Sequence, residues 1–239
     1  MTQTDTPAAG TPKIDTTALE PVHIDIVSDV MCPWCYIGKR RLEKALATLD
    51  DVTVRVSWRP FQLDPTLPED GKDRAQYLNE KFGGPDRAAE IYARITAAGA
   101  EEEIPFAFDK ITRSPNTLNA HRVIRWAGIE GLQDAVVERL FQLYFIEGAD
   151  LTDPAVLEGA AAEAGMDPAM VARLLATDAD LAETEAEIVH AQAIGVQGVP
   201  CFIIENKYAV SGAQPADVLA TAIRQVAVEK AGGDPVAAG

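Results

Sequence analysis

The sequence has few cysteines, few basic residues and no long apolar runs. Three of its 239 residues are cysteines, too few for a framework of several structural disulfides. Lysines and arginines number 21 against 37 aspartates and glutamates, for a net charge of -16. Because phosphate groups are bound by clustered basic residues, this balance argues against nucleic acid or an anionic membrane as a partner. No apolar run reaches the roughly eighteen residues of a membrane-spanning helix.

Both ends of the chain have the composition of loose tails. Residues 1–20 are rich in Thr, Ala, Pro and Asp, without the basic start and apolar run of a signal peptide. We therefore expect a disordered tail over 1–20, a flexible Gly- and Ala-rich tail over 232–239, and a cytoplasmic location. Thiols are mostly kept reduced there, so a Cys-x-x-Cys is more often catalytic or metal-binding than structural.

Two of the cysteines form such a motif, Cys32-Pro33-Trp34-Cys35. An alternating strand pattern precedes the motif and a helical apolar stripe follows it, which predicts a strand-to-helix junction. Cys32 would lie at the helix N-terminus, where unpaired N–H groups and the helix dipole favour a thiolate. Cys35 would be more enclosed and able to resolve a mixed disulfide. Pro33 suits a first helical position, and Trp34 offers an aromatic surface beside the attacking sulfur.

The strand signals are confined to the two ends of the chain. A second strand is predicted over 52–58, and the strand-helix-strand order indicates parallel pairing. After more than a hundred residues of amphipathic helical pattern come a hairpin near 199–211 and a closing helix. We expect an α/β fold: a thioredoxin-like domain over 21–64 and 196–231, interrupted by an all-helical insertion of five to seven helices over 65–195.

A proline opens the late strand, in Gly198-Val199-Pro200. If the Val199–Pro200 bond is cis, Val199 backbone groups are free to pair with an extended substrate segment beside Cys32. Cys201 comes next and could form an alternative disulfide, although a strand cysteine is more often a small buried apolar residue.

For the basic residues after the motif and for two histidines, structural roles are favoured over catalytic ones. Lys39, Arg40, Arg41 and Lys44 could help to hold a thiolate, but a solvated helix surface is favoured. His121 and His190 lie in helical patterns, His190 on the apolar stripe of Ala186, Val189 and Ala193, so a core or boundary histidine is favoured for both. No metal site is expected, because Cys32 and Cys35 lack a second pair of ligands.

The motifs together resemble the DsbA-like branch of the thioredoxin superfamily, and within it the FrnE-type oxidoreductases. The resemblance rests on SDVMCPWCYIGK (28–39), RPFQLDP (59–65) and NTLNAHR (116–122), and spans about residues 22–226. It implies thiol–disulfide exchange, with Cys32 as nucleophile, Cys35 as resolving thiol and Pro200 as the cis-proline of the substrate groove. Many relatives have a buried acid six residues before the first cysteine. Here that residue is Ile26, and Asp29 is the nearest acid.

The leading hypothesis is a disulfide oxidoreductase or isomerase acting on thiol- or disulfide-containing proteins or peptides. This reaction needs no cofactor, although glutathione could serve as co-substrate. A homodimer is possible. One alternative is a glutathione-dependent isomerase or transferase resembling 2-hydroxychromene-2-carboxylate isomerase and the kappa-class transferases, which usually carry serine at the motif. Another is a chaperone-like module that binds unfolded clients.

Overall fold

The computed structural model describes residues 20–232. The predicted tails therefore lie outside the described residues, apart from residues 20 and 232. The six strands of the described chain are β1 Val22–Ser28, β2 Val54–Pro60, β3 Lys72–Asp73, β4 Arg113–Ser114, β5 Cys201–Ile204 and β6 Tyr208–Ser211. The nine α-helices are α1 Pro33–Leu46, α2 Arg74–Phe82, α3 Pro85–Glu101, α4 Leu118–Glu130, α5 Gln133–Gln142, α6 Pro154–Glu163, α7 Pro168–Leu175, α8 Leu181–Ala193 and α9 Ala216–Lys230.

The central sheet has the strand order β2-β1-β5-β6. β1 pairs in parallel with β2 and antiparallel with β5, and β5 pairs antiparallel with β6. The predicted parallel unit and late hairpin are thus both confirmed, and the fold is the mixed α/β thioredoxin-like class. All four strands fall within 21–64 and 196–231, although the division into domains stays a prediction.

Helices cover the sheet from both ends of the chain. α1 and α9 pack together, and α9 also contacts β1, while α4, α5 and α8 of the insertion contact β2. An aromatic cluster joins α1 to the insertion: the ring of Tyr36 stacks on that of Phe141 at 5.0 Å, and Phe106 meets Tyr36 edge-on at 6.1 Å. Such aromatic pairs add stabilisation beyond the area they bury, so the insertion is anchored directly behind the motif.

The insertion contains seven α-helices, at the upper end of the predicted range. It departs from the all-helical prediction at one place, where β3 and β4 form a two-stranded antiparallel ladder. Each strand is only two residues long, too short for a pattern of alternation to reveal it. A 3₁₀ turn at Phe108–Lys110 and a π-helical turn at Leu143–Glu147 complete the segment. No helix among residues 20–232 is long and apolar enough to cross a membrane.

Candidate active site

The dithiol lies where β1 passes into α1. Pro33 is the first residue of α1, and Cys32 is its N-cap, with an extended backbone (φ -94°, ψ 113°). The Cys32 N–H donates to the Asp29 carbonyl at 3.0 Å, and the Cys35 N–H donates to the Cys32 carbonyl at 3.0 Å. The sulfur of Cys32 therefore sits at the positive end of a fourteen-residue helix, the position predicted from the sequence.

The two thiols are free, and both are buried. Cys32 is 4% exposed and Cys35 1%, whereas Trp34 between them is 37% exposed. Burial, together with the neighbouring Cys32 thiol, raises the pKa of Cys35 well above its ordinary value, and hydrogen bonds from the Ser28 side chain and the Asp29 backbone offset only part of this. Cys35 is therefore a protonated thiol at neutral pH.

The second half of the site comes from the far end of the sequence. The Cys32 thiol donates to the Val199 carbonyl at 3.6 Å, across 167 positions of sequence. The Val199–Pro200 peptide bond is cis. The Pro200 carbonyl accepts from the Gly212 N–H at 2.8 Å, which ties this loop to the end of β6. Val199 and Pro200 are thus brought beside Cys32.

Cys201 lies in a second, smaller apolar cluster. Its side chain is 2% exposed and packs with Val27, Phe61, Ala191 and Val196. Burial raises the pKa of Cys201, and a hydrogen bond from Ser211 opposes that rise. These surroundings are those of a small apolar core residue, which favours the plainer of the two interpretations of Cys201.

Asp29 and His121 meet inside the protein behind the motif. The Asp29 carboxylate is fully buried and accepts from the backbone N–H groups of Met31 at 3.3 Å and Leu63 at 2.8 Å. His121 Nε2 lies 2.8 Å from the Phe61 carbonyl oxygen and 3.7 Å from Asp29 Oδ1. His121 is therefore a core histidine, as predicted. The motifs at 28–39 and 116–122 contained both residues, but only the fold shows that they meet.

The prediction for His190 is wrong. His190 is exposed, as are Ala186, Val189 and Ala193, whereas Thr184, Ile188 and Ala191 form the buried face of α8. The helix is rich in alanine on every side, so its small residues did not identify which face is covered.

Within the basic run of α1, Lys39 differs from the favoured prediction of a solvated surface, whereas Lys44 is exposed as predicted. The Lys39 side chain is only 3% exposed, and its ammonium group pairs with Glu43, Asp134 at 3.1 Å and Glu138 at 3.2 Å. Arg40 also binds Glu138. Lys39 and Arg40 thus fasten α1 to α5, while Arg41 and Lys44 pair with Glu102 at the end of α3.

A buried arginine in the insertion went unnoticed in the sequence. Arg74 is 7% exposed, and its guanidinium donates to Ser114 Oγ at 3.1 Å, Tyr144 Oη at 3.4 Å and Tyr92 Oη. Burial raises the pKa of Tyr92, Arg74 opposes this, and the nearby Cys32 contributes to the rise. No sequence pattern at Arg74 distinguishes it from a surface arginine.

Metal ligation finds no support among residues 20–232, where no group of three or more His, Cys, Asp or Glu side chains is placed to hold an ion. The dithiol itself lies in a strand-turn-helix unit beside a cis X-Pro loop.

The profile of the DSBA-like thioredoxin domain family matches residues 23–224. The chain belongs to this family. A crystal structure of a probable DsbA oxidoreductase from Streptomyces coelicolor is similar at 31% identity, with a TM-score of 0.77 over 89% of this chain and 91% of that one. Membership and this relative together support a redox enzyme.

Two further relatives widen the comparison. An uncharacterized protein of Bacillus subtilis, YwbO, is 28% identical over 203 residues, which is 84% of this chain and 96% of that protein. The cytosolic disulfide reductase DsbM from Pseudomonas aeruginosa, solved with GSH, shares 19% identity and a TM-score of 0.58 over 84% of this chain and 99% of DsbM. At that identity the likeness concerns the fold alone.

Proposed function

We propose that this DsbA-like protein is a dithiol–disulfide oxidoreductase in which Cys32 attacks the substrate and Cys35 resolves the mixed disulfide. The observation that carries the proposal is the placement of the Cys32 sulfur, at the N-cap of α1 and 3.6 Å from the Val199 carbonyl oxygen. A thiolate there is stabilised by the N-terminal N–H groups of the helix, and thiolates are the attacking species in disulfide exchange.

The reaction passes through one covalent intermediate. The Cys32 thiolate attacks one sulfur of a substrate disulfide, a Cys32–substrate disulfide forms, and the other substrate sulfur leaves as a thiolate. Cys35, once deprotonated, then attacks Cys32 Sγ. The substrate's second thiolate is released, and the Cys32–Cys35 bond holds the oxidised pair. Run in reverse, the same steps oxidise a dithiol substrate.

The Val199–Pro200 loop supplies the docking backbone in this proposal. Val199 and Pro200 flank Cys32, and backbone groups beside a reactive sulfur can pair with an extended peptide. We propose thiol- or disulfide-containing proteins or peptides as substrates, and a cytoplasmic FrnE-type role. No resident cofactor is part of the proposal, and glutathione would enter only as a co-substrate.

Insulin reduction with a small dithiol as the electron donor tests the assignment. We expect Cys32→Ser to lose essentially all activity, because the attacking thiolate is gone. Cys35→Ser should instead accumulate a mixed disulfide between Cys32 and the substrate, visible by mass spectrometry. Cys201→Ser is the matched control, and we expect it to reduce insulin within about twofold of the parent rate because Cys201 lies in a separate apolar cluster.

Insulin reduction by the Cys32→Ser protein at the parent rate would refute the thiol mechanism. Survival of glutathione conjugation alone would favour the isomerase or transferase alternative, and suppression of client aggregation by the thiol-free protein would favour the chaperone-like one. The reduction potential against glutathione then decides the direction, since it fixes which form of the dithiol prevails in a given compartment.

A further inference from the structure

The proton on Cys35 has no direct route to solvent. Cys35 is 1% exposed, yet it must lose its proton before it can attack Cys32. Among the groups around it, the Ser28 side chain at the end of β1 acts to lower the pKa of the Cys35 thiol by hydrogen bonding. Ser28 is itself 5% exposed. The hydroxyl of serine can accept one proton and donate another, so Ser28 is the first group available to carry this proton away from Cys35.

Beyond Ser28 lies a small cavity that reaches His121. Its volume is about 10 Å³, close to the lower limit for holding one water molecule. Ser28 and His121 both line it. Trp58, Arg59, Arg125 and Glu187 line both this cavity and a neighbouring surface cleft of about 320 Å³. A proton that reaches His121 is therefore next to a route to bulk water.

The hydrogen bonds of His121 determine which nitrogen can take up a proton. A carbonyl oxygen only accepts, so Nε2, 2.8 Å from the Phe61 oxygen, carries the hydrogen of the neutral ring. Nδ1 is then the basic nitrogen. Asp29 Oδ1 lies 3.7 Å from Nε2 inside the protein, a distance at which a carboxylate can pair with a protonated imidazole.

We propose that Ser28 and His121 form a proton path that deprotonates Cys35 when it resolves the mixed disulfide, with Asp29 stabilising the protonated histidine. The path rests on the proposed function, because it serves the second step of that reaction. The Cys35 proton passes to Ser28 Oγ, and the Ser28 hydrogen passes through the cavity to His121 Nδ1. The Cys35 thiolate then forms a bond to Cys32 Sγ, and the Cys32–substrate bond breaks with its electron pair on the leaving sulfur.

The charged groups around the cavity are compatible with a cationic histidine. Arg125 from α4 pairs with Glu187 from α8, and Arg59 from β2 pairs with Asp25 at 2.9 Å. Each of these pairs has no net charge. Asp29 is bound to backbone N–H groups, so its negative charge remains available to the imidazolium.

Stopped-flow reaction of the reduced protein with dithiobis-nitrobenzoate separates the two steps, because each step releases one coloured thiolate. The first release reports attack by Cys32, and the second reports resolution by Cys35. At neutral pH we expect His121→Gln to slow the second release by about 10- to 100-fold and to leave the first within about twofold. The difference from the parent should vanish at alkaline pH, where Cys35 ionises without help, an effect that a merely structural role would not produce.

Ser28→Ala is the second variant, and it removes a single hydroxyl. It should slow the second release about tenfold with the same convergence at high pH, and it decides the matter if His121→Gln does not fold. His190→Gln, an exposed histidine in α8, is the matched control and should behave as the parent. Second releases that are unchanged in both test variants, or slowed equally at every pH, would overturn the proton path. A first release that persists in Cys32→Ser would instead overturn the proposed function.

Discussion

Gly38 is the position at which α1 touches the cis-proline loop most closely. A Cβ at Gly38 would lie 2.8 Å from Pro200 Cγ and 3.3 Å from Phe202 Cζ. Carbon atoms pack favourably at about 3.5–4.0 Å, so Gly38→Ala requires Pro200 to move away from α1 by about 0.7 Å. The proline ring is stiff and its neighbours are buried. We therefore expect the displacement to reach Val199, whose carbonyl is 3.6 Å from the Cys32 sulfur.

Gly38→Ala should affect stability only slightly and activity strongly. Replacing a helical glycine by alanine contributes about 1 kcal/mol to stability, while overpacking costs about 1–3 kcal/mol. The free energy of unfolding should thus fall by no more than about 2 kcal/mol, and the protein stays folded. A misplacement of about 1 Å at a reacting centre can cost about a hundredfold in rate, so we expect insulin reduction to slow at least about tenfold.

Gly159→Ala is the matched control, because Gly159 lies within α6 and a Cβ there would meet nothing within 4 Å. Urea unfolding should show this variant about 1 kcal/mol more stable than the parent, with an unchanged rate of insulin reduction. If Gly38→Ala gained the same stability and kept full activity, the contact between α1 and Pro200 would not position the site, and the reasoning would fail.

Two further predictions concern charged side chains, one half-buried and one buried. Burial favours a higher pKa for Glu138, but the hydrogen bond from Arg40 and the charges of Lys39 and Arg40 hold the pKa below its ordinary value of 4.5. A lowered pKa stabilises the fold above about pH 4.5, and this stabilisation is lost as the pH falls through the lower, folded-state value. Between pH 7 and pH 4, the free energy of unfolding in urea should therefore fall less in Glu138→Gln than in the parent, by about 1 kcal/mol. Glu130→Gln, at an exposed position, should match the parent. Equal decreases in Glu138→Gln and the parent would contradict this. Arg74→Lys should lower the free energy of unfolding by about 1–3 kcal/mol, because a compact ammonium cannot reach the three hydroxyls that two separate guanidinium nitrogens bind. The exposed Arg87→Lys is its control, and equal urea midpoints for the two variants would refute the argument.

Local patterns in the sequence predicted the parts of the sheet correctly. The alternation before the motif and in the segment around 52–58 identified β1 and β2, and the strand-helix-strand order gave their parallel pairing. Those patterns do not place β5 against β1, because the two strands are separated by the whole insertion. The structure supplies that neighbour relation.

The candidate site was predicted only in part, for a physical reason. The position of Cys32 is local, since strand, turn and helix follow each other in the sequence, and its capping position could be anticipated. The burial of Lys39 could not, because it depends on Asp134 and Glu138 in another helix. The core position of His121 was predicted, but its partners were not, because Asp29 and Phe61 come from two separate loops.

The strand order has a consequence for how the protein is made. β1 is a central strand, flanked on one side by β2 from nearby in the sequence and on the other by β5, which the ribosome produces much later. Until that stretch emerges, one edge of β1 has no partner within the chain, and an open edge invites pairing with other molecules. The Val199 carbonyl that contacts Cys32 arrives with the same late stretch. The nascent chain thus carries its dithiol long before it can complete the pocket around it, and any truncation before residue 199 would release an unfinished site with an exposed strand edge.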